Sequence, residues 1–479
     1  MTPLHENPAS LTRILGRRDV LALAFGAMVG WSWVVLVGEM IVRAGSIGAI
    51  LAFVTGAAMV YFVGLTYAEL TSSLARAGGE LSFVFVGLGP KLAYVCGWTL
   101  VLAYLSVCAF EAVALPTVLG YLLPGFEIGF LYTIAGWDVH ATWVGVGVMG
   151  ALAIGLVNYF GVKVAAFVQG VAACLLLGIG ISFFLPGIVL GNPEHLVPVF
   201  TGVDGYLRVV VMTPFLFLGF DVIPQISEDI DVPRRTIGRL ILLSIALALS
   251  WYILVHWTVG MTLPSLSLNA RELPTADAMS VVYGNPWGGR ALVIGGVLGI
   301  VTSWNAFFMA ASRLLFAMGR GAMLPAVFGR LHPRYQSPVA AILLLTTLTA
   351  IAPFVGRPAL VWFVDAGGFA AVLAYFLVAV SFLIIRQRFP NIDRPYRIAS
   401  PRLVGGCAIV STLFFFVLYL PGSPAALVWP YEWVIIAVWA ILGLLLTIGL
   451  ADRVGRIGSA RREQLVLGEY TALFQKQRK

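Results

Sequence analysis

A polytopic, all-α membrane protein with twelve transmembrane helices is the fold class this sequence predicts, and three observations carry the prediction. Of its 479 residues, 60% are apolar and only 11% charged, whereas soluble domains carry about 25% charge. The apolar residues gather into twelve runs, and about 20 such residues cross a bilayer as a helix. The first and sixth runs are interrupted by glycine or proline at corresponding places, the best sequence pointer to inverted repeats. Together these exclude a secreted enzyme, a nucleic-acid binder, a disordered scaffold and an outer-membrane barrel.

The runs lie near 19–43, 47–75, 88–123, 141–161, 164–190, 205–228, 236–262, 289–320, 338–356, 359–386, 402–420 and 428–450, and define spans 1 to 12 in that order. Spans 3 and 8 exceed what a bilayer needs and are expected to tilt. Of the 30 Lys and Arg, 24 fall in the tails and the even-numbered loops. The odd loops and their edges hold Arg43, Arg208, Arg271, Arg290 and Arg357, while Lys163 stands near the start of span 5. By the positive-inside rule both termini are expected in the cytoplasm, with the chain in the plasma membrane. The formal charge of +8 therefore belongs to this loop bias and not to a nucleic-acid surface. No cleavable signal pattern precedes span 1, which is expected to remain as an anchor.

Metal, cofactor and enzymatic chemistry find little footing. Cys96, Cys108, Cys174 and Cys407 lie inside apolar runs without metal-ligand spacing, so neither a disulfide framework nor a metal site is expected. His5, His140, His195, His256 and His332 form no cluster, and neither H-E-x-x-H nor G-x-S-x-G occurs. A channel would want a continuous polar lining. The intramembrane acids Glu39, Glu69, Glu111, Asp221 and Asp365 are too few and too scattered for one.

The two interruptions carry the chemistry. Span 1 contains Gly26-Ala27-Met28-Val29-Gly30-Trp31-Ser32-Trp33, and span 6 contains Pro214 and then Gly219-Phe220-Asp221-Val222-Ile223-Pro224. A broken helix exposes N–H groups at one half-helix end and carbonyls at the other. The first end holds an anion such as an α-carboxylate, and the second holds an ammonium. Gly30, Trp31 and Ser32 would offer donors, and Met28, Leu218 and Phe220 carbonyls. Asp221 at the second break either marks function, as an intramembrane carboxylate does by default, or caps the broken helix.

These residues, with several loops, resemble the amino acid–polyamine–organocation permeases. Span 1 is similar to that family's G-A-x-x-G-x-G stretch, although Trp31 and Ser32 follow Gly30 where the family usually has G-S-G or G-T-G. Tyr67-Ala68-Glu69-Leu70 and Ala77-Gly78-Gly79-Glu80 resemble its A-E-L and A-G-G-x motifs. Gly219-Phe220-Asp221, Glu228-Asp229 and Pro233-Arg234-Arg235-Thr236-Ile237 are similar to its span 6 motif, acidic pair and P-x-R-x-I loop. Ser303-Trp304-Asn305-Ala306, Ser312-Arg313-Leu314-Leu315 and Met323-Leu324-Pro325 follow its span 8 pattern, and His332-Pro333-Arg334, Pro338 and Arg394-Pro395-Tyr396-Arg397 come later in the same order.

The resemblance implies roles. It makes Phe220 a lid over the substrate, against a plain packing role. It places Lys163, in Asn158-Tyr159-Phe160-Gly161-Val162-Lys163 and on to Gln169, where a lysine amine replaces sodium in sodium-independent members. Its neighbours would then be the Gly26 carbonyl and the Ser303 hydroxyl; the bland alternative is an anchor snorkelling to the cytoplasm. A match counted back from Pro124 puts Glu111 where relatives touch the substrate side chain.

Helical spacing puts Tyr104, Cys108 and Glu111 on one face of span 3, and Ser303 and Phe307 on one face of span 8 with Trp304 and Phe308 beside them. Glu111 either awaits a cationic ligand or is protonated and bonded to a neighbouring helix. Glu69, Glu80, Glu228 and Asp229, near Arg76 and Arg234, form either a gating ion-pair network or a solvated loop.

The expected organisation is a tail (1–18), a five-helix repeat (19–190), a second inverted repeat (205–386), spans 11 and 12 (402–450) and a carboxy-terminal tail (451–479). The expected function is secondary transport of an amino acid or related amine by alternating access, with a proton or by exchange. A polyamine or organic-amine permease and a nontransporting nutrient receptor stay open beside it. The expected partners are the small-molecule substrate, a proton and the lipid bilayer, with no nucleic acid.

Overall fold

The computed structural model describes residues 13–123, 125–271, 273–450 and 457–478. The first twelve residues of the expected amino-terminal tail, His5 among them, lie outside the described residues, as do 451–456 and 479. Among the described residues ten helices are long and apolar enough to cross a membrane, and they correspond to spans 1–5, 7, 8 and 10–12. The other two spans are present as shorter pieces. Span 6 is Val203–Leu216 followed by Val222–Gln225, and span 9 is Val339–Ile351 continued by a tight turn to Val355. The chain is a polytopic helical membrane protein.

Hydropathy explains the sorting of these helices. Spans 3 and 8, Pro90–Leu122 and Pro286–Arg320, are the longest helices and bury most of their side chains. Spans 11 and 12, Pro401–Leu418 and Tyr431–Gly449, leave Val410, Phe414, Leu444 and Ile448 exposed. Such apolar outward faces suit hydrocarbon, where every backbone group is already satisfied within its helix. Span 12 is fastened to span 3 by a reciprocal pair. The Trp98 and Trp439 rings stack at 4.4 Å, and each indole N–H donates to the other residue's carbonyl at 2.8–2.9 Å.

The helix packing repeats with a shift of five spans. Span 1 packs on span 5 as span 6 packs on span 10, and span 1 on span 7 as span 6 on span 2. Span 3 packs on span 10 as span 8 packs on span 5, and the pairs 2–7, 3–8 and 4–9 map onto themselves. This pairing is what two successive five-helix repeats produce, and an odd repeat length would set the second copy in the opposite direction.

Three connections depart from the sequence reading. Residues read as a loop after span 2 form the helix Gly79–Leu88, whose apolar side chains Leu81, Phe83 and Val84 are buried. It begins after Gly78, at φ +79°, and a Cβ on Gly79 would lie 2.4 Å from Pro224. Strands Phe130–Ile134 and Trp137–His140 form a hairpin between spans 3 and 4, turned through Ala135 and Gly136 at positive φ. The carboxy-terminal tail is also folded. Helices Ser459–Leu467 and Thr471–Arg478 return to the arginine-rich face, where Arg76 donates to the Val466 carbonyl at 3.2 Å and Phe474 packs on Phe389. Leu15 pairs with Ile230 on the same face, so both described ends lie there.

Candidate functional site

Span 1 stops as a helix at Met28 and restarts at Ser32, and span 6 stops at Leu216 and resumes at Val222. The two breaks touch. Gly219 has φ +136°, and a Cβ on it would lie 2.8 Å from the Met28 backbone nitrogen. Glycine alone accepts both that φ and that approach. Leu218 is buried beside it, and Phe220 lies between Tyr67 and Tyr375, with ring centroids 5.3 and 5.4 Å away. Asp221 holds the second break in shape. Its Oδ1 accepts the Gly219 N–H at 2.7 Å, and the Tyr104 hydroxyl donates to Oδ2 at 3.0 Å. Tyr104 in turn packs on Phe307, at 5.6 Å.

At the first break, Gly30 meets spans 3 and 8. A Cβ on it would stand 2.5 Å from Glu111 Oε1 and 2.7 Å from Ser303 Oγ. The Ser303 hydroxyl donates to Glu111 Oε1, and the Trp31 backbone N–H also faces this carboxyl. The protein's own carboxyl thus sits where the helix break was expected to offer donors to a substrate anion. The bulk of Trp31 is absorbed by span 8. Its ring lies against Gly296, and one turn on Gly299 lets the Gly30 carbonyl approach, 2.6 Å from where a Cβ would be. Cys108 Sγ is 4.0 Å from the Trp304 carbonyl, while the Trp304 ring turns away and packs over Gly150 of span 4.

Lys163 stands elsewhere. It is exposed at the first turn of the helix Val162–Leu190, on the side of exposed Val164 and Phe167. The inward face of that turn is Val162, Ala165, Ala166 and Gln169, and desolvating an ammonium there is costly. The expected meeting of Lys163 with Gly26 and Ser303 is therefore corrected. Gly26 packs against Gln169 and Thr302, and Ser303 bonds Glu111 and the Gly299 and Ile300 carbonyls. Amides join the helices instead. Gln169 donates to the Ala22 carbonyl at 3.2 Å, Asn305 donates to Gln169 at 3.0 Å, and Asn158 donates to Asn305 at 3.0 Å.

Tyr252 escaped the sequence reading. Its hydroxyl donates to the Met28 carbonyl at 2.8 Å and shares a hydrogen bond with Ser32 Oγ at 3.1 Å, so it spans both sides of the first break. The available signal was a polar pair four residues apart, Tyr252 and His256, within an apolar run. Tyr252→Phe leaves that carbonyl without its partner and should cost about 1–3 kcal/mol. Thermal unfolding of the purified protein in detergent measures this; an unchanged midpoint would remove the bridging role.

The arginine-rich face is closed by ion pairs. Arg320 holds Glu228 with two bonds at 2.8 and 3.1 Å, and Arg76 joins it at 3.2 Å. Burial lowers the Arg76 guanidinium, Arg320 beside it lowers it further and Glu228 partly restores it, to about 10; it stays charged at neutral pH. Arg313 pairs with Asp229 at 3.1 Å, and Glu69 takes Arg386 at 2.5 Å and Arg394 at 3.1 Å. Arg234 instead lies over the Tyr470 ring, and Glu80 is buried without an ion pair among the described residues.

Relatives match this sequence over most of its length. A branched-chain amino acid permease of Bacillus subtilis is 26% identical over 447 residues, covering 91% of this chain and 92% of the relative. A methylthioribose transporter of the same organism is 26% identical, covering 91% and 93%. An aspartate–proton symporter, also from Bacillus subtilis, is 24% identical, covering 83% and 77%. Residues 15–444 match the family described as amino acid permease, from ahead of span 1 through both broken helices to span 12, and the chain belongs to that family.

Proposed function

We propose that this protein is a secondary transporter that moves an amino acid or related amine across the plasma membrane by alternating access, driven by a proton or by exchange. The arginine-rich face, with both termini, is its cytoplasmic side. The meeting of two helix breaks at Gly30 and Gly219 carries the reading. It supplies half-helix ends of both signs at one place, flanked by aromatic side chains, which suits a small zwitterion. The relatives named above are transporters, one of them a proton symporter.

Glu111 governs selectivity in this proposal. Its Oε1 is held by Ser303 of span 8, and a carboxyl satisfied within the protein leaves a neutral amino acid as the substrate. Among the described residues its Oε2 has no hydrogen-bond partner, which favours a second reading in which that oxygen takes the ammonium of a basic amino acid or polyamine. Uptake of labelled leucine into proteoliposomes, with lysine and putrescine as competitors, separates the two. In the first reading leucine uptake is saturable, the cations compete weakly and Glu111→Gln keeps the same preference. Strong competition by the cations that disappears in Glu111→Gln would establish the second. Substrate binding without uptake would support a nontransporting receptor and remove both.

A further inference from the structure

Next to the second break lies a buried polar cluster that the proposed function does not use. Glu80, at the second position of the helix Gly79–Leu88, accepts a hydrogen bond from Gln225 Nε2. The same amide reaches the Tyr104 hydroxyl at 3.5 Å, and Tyr104 donates to Asp221 at 3.0 Å. Glu80, Gln225, Tyr104 and Asp221 are all fully buried. Two carboxyl groups are therefore connected through one amide and one phenol, with no water-exposed member.

Among the described residues no cation bonds either carboxyl of the pair; Arg388 of span 10 reaches this helix only at its far end, 3.5 Å from the Gly87 carbonyl. The titratable groups that face Glu80 are Tyr67 of span 2, Cys96 and Tyr104 of span 3, Asp221 of span 6 and Tyr375 of span 10. Span 8 also packs on the helix Gly79–Leu88, but its Arg313 and Arg320 are bound to Asp229 and Glu228. The helix Ser459–Leu467 packs there too and carries Arg461, Arg462 and Glu463. Among the described residues no Lys, Arg or His bonds Glu80 or Asp221. Two adjacent carboxylates in such a place cannot both ionise cheaply, so the pair keeps a proton.

Hydrogen bonding decides which member holds it. Asp221 receives two donors, the Gly219 N–H and the Tyr104 O–H, and is held as the carboxylate. Glu80 receives the Gln225 amide and has the Tyr67 hydroxyl facing it, and among the described residues no well-aligned donor reaches its Oε1. Gln225 Oε1 is likewise without a partner among the described residues, and it and the Tyr67 hydroxyl, which faces the Glu80 carboxyl, belong to fully buried residues beside it. Free acceptors around a half-satisfied carboxyl are what a protonated acid needs.

We propose that Glu80 is the proton-carrying group of this transporter, protonated while the arginine-rich face is closed and deprotonated when that face opens. The step breaks one O–H bond and passes the proton to entering water. The carboxylate left behind is hydrated and lies at the positive end of the helix Gly79–Leu88. The segment is placed for this, because Ala77, three residues earlier, donates its N–H to Glu228 of the closing ion-pair network at 3.1 Å. Opening that network moves the start of this helix and admits water to Glu80.

The proposal rests on the transport reading for its coupling role but not for the proton itself, and two measurements keep these apart. The first is infrared difference spectroscopy of the purified full chain between acid and alkaline buffer. Glu80→Gln should lose one protonated-carboxyl band, and Glu80→Asp should retain it at a shifted position. The second uses proteoliposomes and whichever of leucine, aspartate, lysine and putrescine the wild type exchanges. Glu80→Gln should lose accumulation driven by an imposed proton gradient while counterflow exchange persists, which also shows that the variant is folded. An undiminished band, or undiminished gradient-driven accumulation, in Glu80→Gln would overturn the proposal. A wild type that exchanges none of the four would overturn the transport reading and with it the coupling role, while the infrared result would still decide whether Glu80 holds a proton.

Discussion

Gly30→Val is expected to reduce uptake to the level of empty liposomes, the largest functional effect of any single change at the site. A Cβ at this position lies 2.5 Å from Glu111 Oε1, 2.7 Å from Ser303 Oγ and 3.0 Å from Ser303 Cβ, and valine adds two methyl groups beyond it. Overpacking of this kind costs about 1–3 kcal/mol, which a large helical protein survives. The displaced groups are another matter, because Glu111, Ser303 and the Trp31 backbone meet at this one point. The backbone cannot retreat, since the Gly30 carbonyl already lies against Gly299 of span 8. Gel filtration and unfolding confirm the folded state, and the uptake assay reads the site. Wild-type uptake by this variant would show that the first break is not on the transport path.

Arg313→Ala should give the largest loss of stability, about 3–5 kcal/mol, because it leaves one charge of a buried pair alone. Arg313 and Asp229 meet at 3.1 Å with side chains only 4% and 3% exposed. Asp229 belongs to the turn that ends span 6 and whose carbonyl also accepts the Ile14 and Leu15 N–H groups at 2.9 Å. One ion pair therefore ties the broken span 6, the amino-terminal segment and span 8 together. Removing both charges, with Asp229→Leu added to Arg313→Met, should recover much of the loss, since a buried pair replaced by apolar groups is often neutral. Denaturant unfolding in detergent measures both variants. An Arg313→Ala protein as stable as wild type would mean that water reaches Asp229 and the pair closes nothing.

Hydropathy already contained the apolar spans, and glycine, proline and short motifs the two breaks and the family. Each of these depends on local composition or on short motifs, and such features survive in a linear string. Gly30, Glu111 and Asp221 are buried at the two breaks, and glycine or acid in an apolar run has few reasons to be there. Roles were less legible than positions. Glu111 reads as an unpaired acid in span 3 until the fold sets Ser303 and the Trp31 N–H against it.

Tertiary structure alone decided which side of a helix a residue faces and what waits there. Lys163 sits in a motif that resembles a coupling site, yet the rotation of span 5 turns Ala165, Ala166 and Gln169 inward and leaves the lysine exposed. Trp31 looks like an obstacle to a substrate until Gly296, 265 positions later, opens a groove for its ring. Glu80 reads as a loop acid near Arg76, and only the packing of Gly79 on Pro224 draws it into the interior beside Gln225. Membrane insertion follows from the sum of local transfer energies and can be read from one strand of sequence. The partners of a buried polar atom depend on contacts between residues far apart in the chain, and those exist only once the helices have packed.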